Sequence, residues 1–202
     1  MIWRYDPIFF NDRYTVEYHC KYFRVLAAKL GDYTEKCTVS FLDFYRNTAR
    51  NTQPLKIRPG SEEQQMELMR RFSETAKEYG FYIDTCAETI GLEQFGIAHA
   101  CCIDRERFER IGNDRLNVGK DKNQRPECGC ISSIDIGTYN TCKNGCLYCY
   151  ANDSRNTVTR TVFSHDPLSP LLIGGVGPED IIKERRMASL REGQLTLFDF
   201  IQ

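Results

Sequence analysis

Apolar positions change period along the first 85 residues. Ile2–Tyr5 is a short apolar and aromatic run that Asp6 and Pro7 close. From about Thr15 to Leu30, Tyr18, Tyr22, Val25, Leu26 and Leu30 recur with helical spacing, and Gly31 is the stop. Cys37–Leu42 is rich in β-formers and reads as a strand ending at Asp43, and a polar loop spans Arg46 to Gly60. Ser61 and Gln64 have capping-box spacing. Behind them Met66, Met69, Phe72, Ala76 and Tyr79 share one helical face, and Gly80 closes the helix. Phe81–Asp84 is the third strand, leading to Cys86 and Glu88.

Alternating strands and helices imply right-handed crossovers and a parallel sheet. The expected fold is therefore α/β, with a parallel sheet over residues 1–125. An irregular cysteine-rich segment follows at 126–165, then a C-terminal helix and tail at 166–202. Chemistry in parallel sheets collects at the carboxyl ends of strands. Arg4, Asp6, Asp43, Cys86 and Glu88 fall near those ends, making Arg4, Asp6, Asp43 and Glu88 candidate catalytic groups. Each taken alone also reads as a polar loop-start residue. Farther on, Gly91–Ala100 is a short amphipathic stretch. Asp104 reads as an N-cap for a helix to about Ile111, with Ile103 and Phe108 at hydrophobic-staple positions. Residues 112–127 carry nearly balanced charge and read as a solvated linker. Pro178 starts a helix to about Arg191, with Glu179 and Asp180 suited to its dipole.

Length and composition narrow the class. A chain of 202 residues, 41% hydrophobic and 12% aromatic, can bury a core. Its net charge of −1 provides no global field for nonspecific nucleic-acid binding. No run of 18 apolar residues and no signal pattern is present, so a cytoplasmic protein without a membrane segment is expected.

Cysteine changes the picture most. Eight of ten cysteines lie at or after Cys86, and five fall between 128 and 149. Without a secretion signal, metal binding is favoured over a disulfide framework. Cys142, Cys146 and Cys149 have C-x3-C-x2-C spacing, with Gly145 and the aromatics Tyr148 and Tyr150 beside them. Three thiolates so close can hold three corners of a [4Fe–4S] cluster and leave one iron open. An all-cysteine zinc site is the alternative. Cys86, Cys102, Cys128 and Cys130 form a second candidate set. They can ligate a second cluster or a zinc, or one of them can cap the open iron. Cys20 and Cys37 read as core or surface thiols.

The triad with Tyr148 resembles the cluster loop of radical S-adenosylmethionine enzymes. That resemblance implies the cofactor S-adenosylmethionine on the open iron, with Tyr148 near its adenine. On a wider scale, Ile2–Ile8, Ser40–Asp43, Cys86–Glu88, Cys102–Asp104, Arg125–Cys130, Ser133–Cys142, Gly145–Asn152 and His165–Pro167 resemble the family called domain of unknown function 1848. Its cysteine cluster is regarded as similar to that of radical S-adenosylmethionine proteins, but placed late in the chain. The ending at Cys149 and Tyr150 also resembles spore photoproduct lyase, which acts in DNA repair. The resemblance implies further strand–helix units ahead of the first strand, so residues 1–125 are expected to form a partial (β/α) barrel-like half, and a separate chain supplying the missing barrel half is an expected partner. Gly174 and Gly175 lack the acidic neighbour of the usual cofactor-amine motif, so cofactor binding falls to the upstream strands.

The tail is a further element. Gln194, Leu197 and Phe198 look like the peptide bound by bacterial DNA sliding clamps, and Gln194, Leu197, Phe200 and Ile201 fit the archaeal pattern. An exposed Leu and Phe would fill a hydrophobic pocket while Gln anchors by hydrogen bonds. A terminal segment docked on its own core is the alternative. Two functions follow. One is a radical S-adenosylmethionine-type iron–sulfur enzyme with a nucleic-acid link; the other is a non-catalytic zinc- or iron-binding module tethered to a clamp.

Overall fold

The computed structural model describes residues 1–192. Four parallel strands, β1 (Ile2–Ile8), β2 (Lys36–Phe41), β3 (Tyr82–Thr85) and β4 (Ala98–His99), stand side by side in chain order. Sequential order keeps the crossovers turning one way and brings their helices to one face, as in a barrel wall. The first and third helices, α1 (Val16–Leu30) and α3 (Glu62–Glu78), pack together over that face.

Sheet alternation sorts the side chains. Trp3, Cys37, Val39 and Ile83 point toward the helices and are buried in the main core. Phe23 of α1 is its pivot, stacked on Phe72 of α3 at 3.8 Å between centroids and on Trp3 at 4.8 Å. Each such pair adds about 0.5–1.5 kcal/mol to the area it buries. The opposite face is polar: Arg4, Thr38 and Asp84 lie at one level across three strands, with Lys36 one level below.

α1 starts where the periodicity predicts, capped by Thr15, whose side chain accepts from Tyr18 N. Its buried face differs: Val16, His19, Phe23 and Ala27 face inward, while Tyr22, Val25 and Leu26 are 41%, 44% and 36% exposed. The helix offers two apolar stripes. The inner one wins because His19 is satisfied there, with Nδ1 3.0 Å from the Tyr5 hydroxyl and Nε2 2.9 Å from Phe9 O. Nε2 donates to that carbonyl, so Nδ1 accepts from the Tyr5 O–H and the ring is neutral. Burial holds the His19 pKa below its usual value, although the bond to Phe9 opposes this.

α3 follows its expected design. Ser61 Oγ accepts from Gln64 N, and the Gln64 side chain accepts from Ser61 N. Met69, Phe72 and Ala76 are buried, while Met66 and Tyr79 pack at the margin. Other expectations change. β1 runs on through Asp6 and Pro7 to Ile8, which an edge strand permits because Pro7 needs no ladder partner for the N–H it lacks. The stretch read as a loop after Arg46 contains a helix, α2 (Arg46–Thr52), followed by a 3-10 turn at Gln53–Leu55. Thr48 and Thr52 are buried there, and polar composition concealed both. Gly91–Ala100 is a 3-10 turn at Glu93–Phe95 and then β4, too short to have an alternating pattern.

α4 (Arg105–Gly112) begins on Asp104, which accepts from Arg107 N, but Phe108 is exposed and leaves the staple position in solvent. Residues 112–127 are more than a solvated linker. Asp121 is buried, accepting from Asn123 N at 2.8 Å and Ser133 N at 3.3 Å. The C-terminal helix is α5 (Arg155–Phe163), capped by Ser154. The run from Pro178 to Arg191 is not helical, and Ile181, Ile182, Met187 and Leu190 are exposed. With no core to receive an apolar face, a helix of that length is marginal in water. The clamp-like tail from Gln194, with Leu197, Phe198 and Phe200, lies outside the described residues. No helix among the described residues is long and apolar enough to cross a membrane.

Candidate functional site

The polar sheet face and its carboxyl end hold the chemistry. At its centre Lys36 Nζ lies 2.5 Å from Asp84 Oδ2, and Thr38 Oγ1 donates to Asp84 Oδ1 at 2.6 Å. Both charged side chains are nearly sequestered, at 5% and 6% exposure. Burial alone would depress the Lys36 pKa, but the hydrogen bond and charge of Asp84 outweigh it and raise it. This pair lay outside the candidate residues of the sequence. Its only trace there is a charge within each of two strongly β-patterned strands.

One level up, Arg4 forks between two partners. Nε and Nη2 donate to Asp6 Oδ2 at 2.9 and 2.5 Å, and Nη1 donates to Cys102 Sγ at 3.2 Å. Cys102 Sγ is 3.3 Å from Cys86 Sγ. Cys86 directly follows β3, and Cys102 lies three residues past the end of β4, where the chain brings its thiol back to that of Cys86. The Cys86 hydrogen bond lowers the Cys102 pKa to about 5 against the pull of burial, and Arg4 adds to the effect. Cys86 is driven the opposite way, first by that bond and then by burial. Arg4, whose own pKa these partners raise despite burial, lies beside the pair.

Cys128 and Cys130 are buried with Ala87 in a small cluster against Cys86 and Ile103. Ile103 N donates to Cys130 Sγ at 3.3 Å, and Ile103 O accepts from Ile131 N. Gly129 between them is dictated by contact: a Cβ there would meet Cys101 Sγ at 2.5 Å. Asp43 and Glu88 lie on neighbouring loops, each engaged. Asp43 accepts from Arg125 at 2.8 Å. Glu88 Oε1 accepts from Phe41 N at 2.8 Å, yet burial keeps its pKa raised.

The triad occupies a separate loop, clasped to α2. Asn140 Nδ2 and Asn47 Nδ2 both donate to Asp153, Asp153 N donates to Asn140 Oδ1, and Thr48 Oγ1 donates to Tyr148 O. Asn152 Nδ2 reaches Cys142 O at 2.8 Å, and Cys149 N closes a turn on Cys146 O. Gly145 has φ +67, a conformation that glycine adopts without strain. Cys142 and Cys146 are exposed and open, with Gly145, Arg155, Val158 and Phe163, on a cavity of about 900 Å³. The Tyr148 phenol pKa is raised, first by burial and then by Cys146, with a smaller influence of Asp6. Sequence reading missed Asn47, Thr48, Asn140 and Asp153, because a clasp between segments 100 residues apart has no local signature.

The thiols thus form two groups, Cys142, Cys146 and Cys149 on the loop, and Cys86, Cys102, Cys128 and Cys130 near the ends of β3 and β4. Among the described residues, no three metal-ligating side chains close on a single point. The donor chemistry of both groups nonetheless suits a thiophilic metal.

No curated protein and no solved structure matches the chain significantly. A match that begins at the first residue conflicts with the expectation that an N-terminal part of the family domain is missing, and that expectation is withdrawn. The model for Domain of unknown function (DUF1848) covers residues 1–151, from β1 through the whole triad, and the chain belongs to that family.

Proposed function

We propose that this chain is an iron–sulfur protein of radical S-adenosylmethionine type, with Cys142, Cys146 and Cys149 as the ligands of a [4Fe–4S] cluster. The observation that carries the reading is a three-thiol loop with Cys142 and Cys146 opening on a cavity of about 900 Å³. That volume is in the range of small-molecule sites. When bound, such a cluster supplies one electron to a ligand on its open iron.

The chain's own residues have the remaining tasks. Asn152 orients the Cys142 backbone, and the α2 clasp fixes the loop. Arg155, near Gly145, places a cation at the cavity wall, where it favours an anionic ligand group. Tyr148 stands beside Cys146, with its ring available to an adenine. Arg4 and Asp6 on β1, with Asp43 and Glu88 beyond the ends of the neighbouring strands, would supply polar groups for a substrate at the sheet's carboxyl end, although none of the four lines the cavity itself.

Anaerobic reconstitution with iron and sulfide tests the reading. The expected product is brown, with an electron paramagnetic resonance signal after reduction that changes when S-adenosylmethionine is added. A colourless protein that takes up only zinc at the triad, or a cluster signal indifferent to that cofactor, overturns it.

A further inference from the structure

We infer that Cys86, Cys102, Cys128 and Cys130 build a second thiolate metal centre, distinct from the triad and filled independently of it. Two pairs of thiols from three chain segments lie side by side there, not yet closed on one point, and the bound ion would draw them together. Cys86 and Cys102 arrive from the ends of adjacent strands with 3.3 Å between sulfurs. Cys128 and Cys130 pack against Cys86 and Ile103 from the opposite side, 26 and 28 residues on from Cys102.

Three features separate this cluster from ordinary core thiols. Cys37, a core thiol, sits in the aromatic and aliphatic core. The four instead adjoin donors: Arg4 Nη1 points at Cys102 Sγ and Ile103 N at Cys130 Sγ. N–H groups directed at sulfur, with a nearby cation, offset the negative charge that several thiolates bring to a metal. Gly129 is the third feature, because its missing Cβ lets the Cys128–Cys130 turn approach the end of β4 over Cys101. Cys101 itself belongs to this packing and not to the ligand set.

Spacing also suggests the occupant. Two thiolates on one tetrahedral ion with bonds of about 2.3 Å lie roughly 3.8 Å apart. The observed 3.3 Å is near that value, whereas thiolates on different irons of a cube lie farther apart. A single zinc-like ion is the expected occupant. An iron–sulfur cluster on the same four ligands would satisfy the ligand assignment equally.

The test uses the full chain, purified without oxygen, and reads metal content and alkylation. A variant with Cys142, Cys146 and Cys149 all changed to Ser should retain about one zinc per chain, or about four irons with sulfide if the occupant is a cluster. Adding Cys86→Ser and Cys102→Ser should abolish that metal, while Cys101→Ser should leave it. In the unmodified protein, mass spectrometry should find Cys86, Cys102, Cys128 and Cys130 protected from iodoacetamide until a chelator is added, which avoids dependence on variant folding. Loss of all metal with the triad alone, or unprotected thiols, overturns the inference. So does a Cys86–Cys102 disulfide in metal-free protein. Failure of the triad reading appears differently, as loss of the cofactor-sensitive signal with the second centre still loaded.

Discussion

Lys36 and Asp84, on adjacent strands, form an ion pair buried at the centre of the polar sheet face, and Thr38 completes the shell of the carboxylate. Removing one partner leaves an uncompensated charge. Asp84→Ala or Lys36→Ala should cost about 3–5 kcal/mol, whereas the apolar pair Lys36→Met with Asp84→Leu should recover most of it. Urea unfolding of the three variants measures this. Because the folded Lys36 pKa is raised, the stabilisation is fully present below the unfolded lysine range and lost only as pH rises through the folded value. The single-variant losses should therefore be unchanged between pH 6 and 8.

His19 should make the fold acid-sensitive. Its folded pKa is depressed, so the unfolded chain binds the additional proton and stability falls as pH drops below the usual histidine value of about 6.5. Unfolding midpoints at pH 7.5 and 5.0 measure the slope. His19→Gln should flatten this component. Tyr5→Phe, which strips Nδ1 of its donor, should cost about 1–3 kcal/mol.

Gly129→Ala should be disruptive out of proportion to one methyl group. The added Cβ meets Cys101 Sγ at 2.5 Å and Ala100 O at 3.4 Å, so the Cys101 thiol must rotate aside or the Cys128–Cys130 turn must shift. A loss of about 1–3 kcal/mol is expected, with lower metal content. Pairing it with Cys101→Gly removes the obstructing sulfur and should restore both. A pair no better than Gly129→Ala alone would show that the contact is not the cause.

Asp153→Ala should release the triad loop from α2. Three hydrogen bonds to Asn47 and Asn140 depend on that residue's carboxylate or on its placement. Each is worth about 0.5–1.5 kcal/mol, and because they hold a surface loop the loss should appear as local opening of that loop and not as unfolding of the sheet. Hydrogen exchange over residues 139–153 should accelerate while β1 and β2 stay protected. Iron retained after anaerobic reconstitution should fall.

The readable parts of the fold were local ones. The capping box at Ser61 and Gln64, the Thr15 start of α1 and the Asp104 cap of α4 depend on neighbours a few residues away, which the chain order already supplies. The inner face of α1 was not readable. His19 faces inward only because Tyr5 and Phe9 are there to bond it, and neither lies on the helix. The same limit hid α2, whose threonines are buried although its composition is polar.

For the candidate site, residue type and spacing singled out the triad thiols, since C-x3-C-x2-C keeps three cysteines on one short loop. The grouping of the other thiols was decided in three dimensions. Cys86 and Cys102 are 16 residues apart in the chain, and it is the pairing of β3 with β4, together with the turn of the chain after β4, that brings their sulfurs within 3.3 Å. Arg4 joins them from 98 residues away because β1 presents it on the same sheet face. Short-range order follows from backbone preference and side-chain reach, while these meetings depend on which strand lies beside which.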